Sequence, residues 1–228
     1  MATSDQVRSG LGYRTIKGFQ PNYEIHTDGS VDLHICFNWS CARNQALTFS
    51  KQDMAQVIDK MKLCGRIPKS LHDRLQRIRI GIWQMELLAQ KYQPLLATDR
   101  EGNDFDRDAP GRMDCVDNAS NTTTYLRILE DLTALPGWIV QEPQTRNPLP
   151  LDEVHWTAVV KALDDGQLWS IDSWYRPNGN LPFVMPMQDW LDNKRAWNPP
   201  YEKNNPYPKF IDDLCDSPTH AGVHAPGD

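Results

Sequence analysis

Asp108-Ala109-Pro110-Gly111 runs into a stripe of helical period, and a thiol stands at the join. Pro fixes φ and Gly admits conformations closed to other residues, so these four residues predict a turn. Beyond them, Cys115, Val116, Ala119, Thr122, Thr123, Leu126 and Leu129 recur at helical spacing. The pattern predicts a helix whose first turn carries Cys115 facing inward. A helix N-terminus offers unpaired N–H groups and partial positive charge, and both favour a thiolate, the reactive form of Cys. The commoner fate of a lone Cys is to be packed as a small hydrophobe. The helix composition is itself informative, because Asn118, Ser120, Asn121, Thr122, Thr123 and Thr124 are poor helix formers. Each disfavours the helix by roughly several tenths of a kcal/mol relative to Ala. A helix kept despite them needs tertiary packing around it. The rival reading is a loop followed by a short helix from about Thr123.

A Cys nucleophile needs a base within hydrogen-bond reach, and the base needs an orienting group. Val154–Val160 is rich in β-branched and aromatic residues and free of Gly and Pro, so it predicts a strand with His155 at its start. Asp164-Asp165-Gly166 predicts a turn, and Leu168–Trp174 the returning strand. Alternation puts His155, Thr157 and Val159 on one face, and Leu168, Ser170, Asp172 and Trp174 on one face of the second strand. A two-residue turn centred on Asp165-Gly166 would set His155 opposite Arg176 and Asp172 opposite Val159. Asp172 would then share the face of His155 but lie too far along it, so direct contact calls for a wider loop or a bulge. With that contact, Cys115 is the nucleophile, His155 the proton acceptor and donor, and Asp172 the group that fixes the ring tautomer and stabilises imidazolium. The Cys115 backbone N–H would form half of an oxyanion hole. Arg112, Asn118 and Trp83 are candidates for the other half.

Asp114-Cys115-Val116-Asp117-Asn118-Ala119 resembles the Asp-Cys-Glu-Asp-Tyr-Ala type of motif in bacterial transglutaminase-like cysteine peptidases. The His155 and Asp172 strands follow in that family's order and at similar spacing. Asp172-Ser173-Trp174 resembles the Asn-Ser-Trp element of papain-like enzymes, with Asp for Asn. The resemblance implies a Cys115–His155–Asp172 triad, a supporting role for Asp117, and a Trp174 that shields the His155–Asp172 bond. The motif likeness spans roughly residues 110–175. It departs from the family at Met113, where a Gly is usual, and at Ala109, where papain-like enzymes have the oxyanion Gln. The whole chain resembles a group of bacterial proteins with a Cys-containing N-terminal strand and an Asn-Thr-Thr-Thr-Tyr-Leu-Arg helix, here Asn121–Arg127. That likeness implies no substrate.

The net charge of −6 argues against non-specific nucleic-acid binding. The cluster from Lys60 to Arg79 reads as solvated helix faces. No run of about eighteen apolar residues predicts a membrane span. The first thirty residues lack the apolar core of a signal peptide, which favours the cytoplasm unless the sequence is a mature form, periplasmic or secreted. The five Cys are odd in number. Cys36 and Cys41 would be bonded in an exported protein or reduced in the cytosol. No cofactor motif is read, and no second close Cys or His pair supports a metal. Asp104-Phe105-Asp106-Arg107-Asp108 spaces carboxylates as calcium loops do but lacks their Gly and terminal Glu. It reads as a solvated loop over 93–112, leading to the site.

Along the chain, Tyr23–Thr27 and Val31–Phe37 alternate around Asp28-Gly29 and predict a hairpin, with His34 on its polar side. Ser50 with Asp53, and Ser70 with Asp73, predict capped helix starts. The first helix should run to about Leu63 and the second, striped by Leu71, Leu75, Ile78, Ile82, Met85 and Leu88, to about Tyr92. Trp138–Gln141 reads as a strand and Met187–Leu191 as a short helix. The expected architecture is α+β, transglutaminase-like or papain-like. A central Cys-bearing helix packs on an antiparallel sheet, with a helical part before it. The division is a loosely ordered N-terminus over 1–22, one domain over 23–198 and an irregular tail over 199–228. The activity implied is that of a thiol hydrolase or acyl-transferase, of peptidase or amidase type, acting through a thioester. Its partner would be a peptide, protein or cell-wall peptide substrate. The alternative is a non-catalytic transglutaminase-like binding domain with Trp156, Trp169 and Trp174 as an aromatic surface.

Overall fold

The computed structural model describes residues 22–62, 70–100, 102, 109–146 and 154–192. These form a mixed α+β structure with two antiparallel sheets. The first sheet holds β1 (Tyr23–Ile25), β2 (Val31–Phe37) and β3 (Arg43–Phe49) in sequence order. The second holds β4 (Trp138–Arg146), β5 (His155–Ala162), β6 (Leu168–Asp172) and β7 (Phe183–Pro186), also in sequence order. The helices are α1 (Lys51–Lys60), α2 (Leu71–Tyr92), α3 (Cys115–Asp131) and α4 (Met187–Leu191), with a 3-10 turn at Pro94–Thr98.

Local signals account for most element starts. Ser50 and Ser70 both close capping boxes, with Asp53 and Asp73. The stripe after Gly111 forms one helix from Cys115, not a loop with a late helix. Three features lie outside those expectations. β3 was not anticipated: Arg43-Asn44-Gln45 carries no apolar alternation, and only Leu47 and Phe49 of this edge strand are buried. β4 continues through Pro143, where the β4–β5 register shifts between Gln141 and Gln144. An edge strand tolerates Pro at such a bulge because that N–H is not needed. Within the expected acidic loop, Pro94–Thr98 turns and Asp99 is buried, its Oδ1 accepting the Met113 N–H at 2.8 Å. The N-terminal 21 residues, Asp104 to Asp108 and the tail lie outside the described residues.

Helix α3 is the centre of the structure. It packs on β2, β4, β5 and β6, and every residue from Asp117 to Leu126 is buried. Such a helix must satisfy polar groups internally, and its unfavourable composition serves that need. Ser120, Thr123 and Thr124 return hydroxyl bonds to the carbonyls of Val116, Ala119 and Ser120. Asn121 accepts the Cys36 N–H at 2.7 Å and donates to the Cys36 carbonyl at 2.8 Å, tying the helix to β2 as a strand would. One apolar core joins β2 and β3, α1, α2 and the inner faces of α3, β5 and β6.

Candidate active site

Asp114 is the N-cap of α3, and with Asp117 it forms a reciprocal capping box that sets Cys115 at the first helical position. A second element clamps this end. Asn38, Trp39, Ser40 and Cys41 all have positive φ, between 54° and 65°. A left-handed turn of residues other than Gly costs about 1–2 kcal/mol per residue. It is held by a Cys36–Cys41 disulfide and by carboxylates. Asp117 accepts the N–H of Trp39 at 2.8 Å and of Cys41 at 2.6 Å, and Asp114 accepts that of Ser40 at 3.0 Å. The cysteine question left open by the sequence is thus answered by a disulfide. Cys36, Cys41 and Asp117 place ligand-type atoms within 4.8 Å of one another. Sulfurs joined to each other are not thiolate ligands, so the cluster is not a metal centre in this form.

Cys115 is the free cysteine among the described residues. Its Sγ lies against the backbone on both sides of His155, donating to the Val154 carbonyl at 3.6 Å and receiving the Trp156 N–H. The surroundings of Cys115 oppose the thiolate that a helix N-terminus was expected to favour. Burial pushes the Cys115 thiol well up, and Asp114 pushes it further, against a smaller opposing pull from the Trp156 N–H. The dipole of α3 does not offset this, because two carboxylates already occupy its positive end. Burial, followed by Asp114, also pushes the Asp117 carboxyl up.

His155 begins β5 and Asp172 ends β6. The ladder pairs Val159 with Ser170, offset by two residues from the register of a two-residue turn. That offset closes the gap: His155 Nε2 lies 2.8 Å from Asp172 Oδ2. Both residues are buried. The same oxygen accepts the Trp190 indole N–H at 3.0 Å. The ring is boxed by aromatic neighbours, with centroids of Trp174 at 4.8 Å, Tyr175 at 5.2 Å and Trp190 at 5.8 Å.

The structure therefore brings His155, Asp172 and Trp174 into contact and sets the Cys115 sulfur against the backbone flanking His155. Asp117 sits on the disulfide-closed turn. Of the oxyanion candidates, Asn118 spends its amide on the Asp114 carbonyl at 3.1 Å, and Trp83 packs against the core. Sequence reasoning missed Trp190, Arg146 and Tyr175. No local pattern distinguishes Trp190 from the other seven tryptophans of the chain. Trp156, Trp169 and Trp174 are all buried and offer no exposed aromatic surface.

A comparison with known proteins returns no matching family model, no matching curated protein and no matching solved structure.

Proposed function

We propose that this chain is a thiol hydrolase or acyl-transferase of transglutaminase-like type, with Cys115 as nucleophile, His155 as general base and acid, and Asp172 as orienting carboxylate. The observation that carries the reading is the 2.8 Å His155–Asp172 bond beside a free thiol at the first turn of a helix. Because Asp172 Oδ2 accepts from both Trp190 Nε1 and the imidazole, the neutral ring carries its proton on Nε2 and its lone pair on Nδ1. Nδ1 is then the nitrogen that receives the Cys115 proton. The thiolate attacks an amide or ester carbonyl, the imidazolium protonates the leaving group, and a thioester remains on Cys115. Water or an acceptor amine, deprotonated by His155, breaks the thioester and restores the thiol. A peptide, protein or cell-wall peptide is the substrate class this chemistry fits.

The second reading, a non-catalytic binding domain of the same type, is favoured by the upward push on the Cys115 thiol. Iodoacetamide at mildly acidic pH, followed by peptide mapping, separates the two. Selective labelling of Cys115 that is lost in His155→Ala supports the enzyme. A Cys115 that stays unlabelled, or reacts equally in His155→Ala, supports the binding domain. With a substrate in hand, Cys115→Ala should abolish turnover and leave folding intact.

A further inference from the structure

The oxygen of Asp172 that faces His155 has a second donor, and that donor is held more firmly than its place in a short helix requires. Helix α4 spans Met187–Leu191 and has no side-chain cap. Its Trp190 is fully buried, and the indole Nε1–H reaches Asp172 Oδ2 at 3.0 Å. Behind the indole stands Arg146, whose guanidinium lies over the ring at 4.6 Å. Arg146 also donates to the Trp190 carbonyl and, at 2.6 Å, to the Tyr175 hydroxyl. Arg146 is in turn the cross-strand partner of His155 in the β4–β5 ladder. The contacts close a ring: His155 to Asp172, Asp172 to Trp190, Trp190 to Arg146, and Arg146 back to His155 through the sheet.

We propose that Trp190, clamped by Arg146, is the positioning residue of the His155–Asp172 pair, fixing the carboxylate oxygen that orients the imidazole. A carboxylate on the last residue of a strand has rotational freedom that a single His contact does not remove. Two donors converging on one oxygen define its position, and the cation over the indole face anchors the second donor. A buried Trp needs a partner for its N–H, which ordinary packing also demands. A merely structural role, however, would be satisfied by any acceptor, whereas here the acceptor is the group bonded to His155.

This inference rests on the proposed thiol–imidazole chemistry for one of its two tests. In the first, iodoacetamide alkylation of Cys115 is followed against pH in the parent, Trp190→Phe, Asp172→Asn and the double variant. Trp190→Phe keeps an aromatic ring, though a smaller one, and loses the indole N–H. It should slow Cys115 alkylation about tenfold near neutral pH, as loss of a charge-assisted hydrogen bond does. It should displace the pH profile in the same direction as Asp172→Asn, and add nothing in the double variant. Where His155→Ala slows labelling, a Trp190→Phe profile that superimposes on the parent, or a full additional loss in the double variant, overturns the proposal. The second test reads the Trp190 indole N–H by NMR in the folded parent and in Asp172→Asn, and so needs neither a reactive thiol nor a folded Trp190→Phe protein. The resonance should move and exchange faster with solvent in Asp172→Asn, and an unchanged resonance overturns the proposal. If His155→Ala leaves Cys115 alkylation unchanged while the indole resonance does respond, the catalytic reading fails and the positioning of Asp172 by Trp190 stands.

Discussion

His155 and Asp172 touch without being cross-strand partners. Pairing of Ala158 with Ile171 and Val159 with Ser170 sets Thr157 opposite Asp172 when continued by one step, so the 2.8 Å contact is a diagonal one. Diagonal neighbours on one face of a sheet are separated by about 7–8 Å, within reach of a His and an Asp leaning together. Thr157 and Ser170 make the same diagonal contact two residues along, at 2.7 Å between hydroxyls. Asp172→Asn keeps the shape of this contact and removes its charge. It should slow Cys115 alkylation on the order of a hundredfold, less than His155→Ala does. The pH–rate profile of iodoacetamide labelling measures both.

The disulfide and the left-handed turn should stand or fall together. Closing so short a loop contributes about 2 kcal/mol through the unfolded state. Its loss would also free Trp39 and Cys41 from Asp117, whose carboxylate would then be buried with fewer donors. A Cys36→Ser, Cys41→Ser double variant should lower the melting temperature by several degrees, and a thiol reductant should do the same to the parent. Differential scanning calorimetry with and without reductant checks this, and an unchanged transition would show that Asp114 and Asp117 hold the turn alone.

Glu86 makes stability depend on pH. This carboxyl of α2 is wholly buried, and burial pushes it up to about 8, against the pull of the Gly179 N–H and the Ser173 hydroxyl. The Gly179 contact is 2.8 Å, and the Ser173 hydroxyl also meets Thr122 at 2.9 Å. A carboxyl raised on folding binds its proton more tightly in the native state than in the unfolded chain. Its contribution is therefore whole below the ordinary Glu range and is lost as pH rises to about 8. Glu86→Gln removes that titration. Relative to the variant, the parent should lose on the order of a few kcal/mol between pH 5 and 8. Urea unfolding at both pH values tests the slope, and parallel pH profiles would refute it.

Gly111 is required by space as well as by φ. Its φ is +86°, and a Cβ there would lie 2.0 Å from the Leu95 carbonyl oxygen. That carbonyl belongs to the turn that carries Asp99 to Met113, immediately before the Asp114 cap. Gly111→Ala should destabilise by at least about 2 kcal/mol and loosen the first turn of α3. Chemical denaturation reads the first effect. Faster amide exchange at Cys115 to Asp117 reads the second.

Short-range order was legible without coordinates. The Ser50 and Ser70 starts follow from capping chemistry, the α2 and α3 stripes from period 3.6, and the shared face of His155 and Asp172 from period 2, whereas the Asp114 cap emerged only in the structure. Each depends on residues within one or two turns of each other. The β5–β6 register, the left-handed turn under Asp117, the Trp190 contact and the upward push on Cys115 were decided only by the tertiary structure. Register answers to the loop and to packing on both faces. The state of a thiol answers to everything that packs against it, here the apolar clusters around Trp156 and Trp174, and to the charge of Asp114 beside it, and no local pattern in the chain sums those contributions.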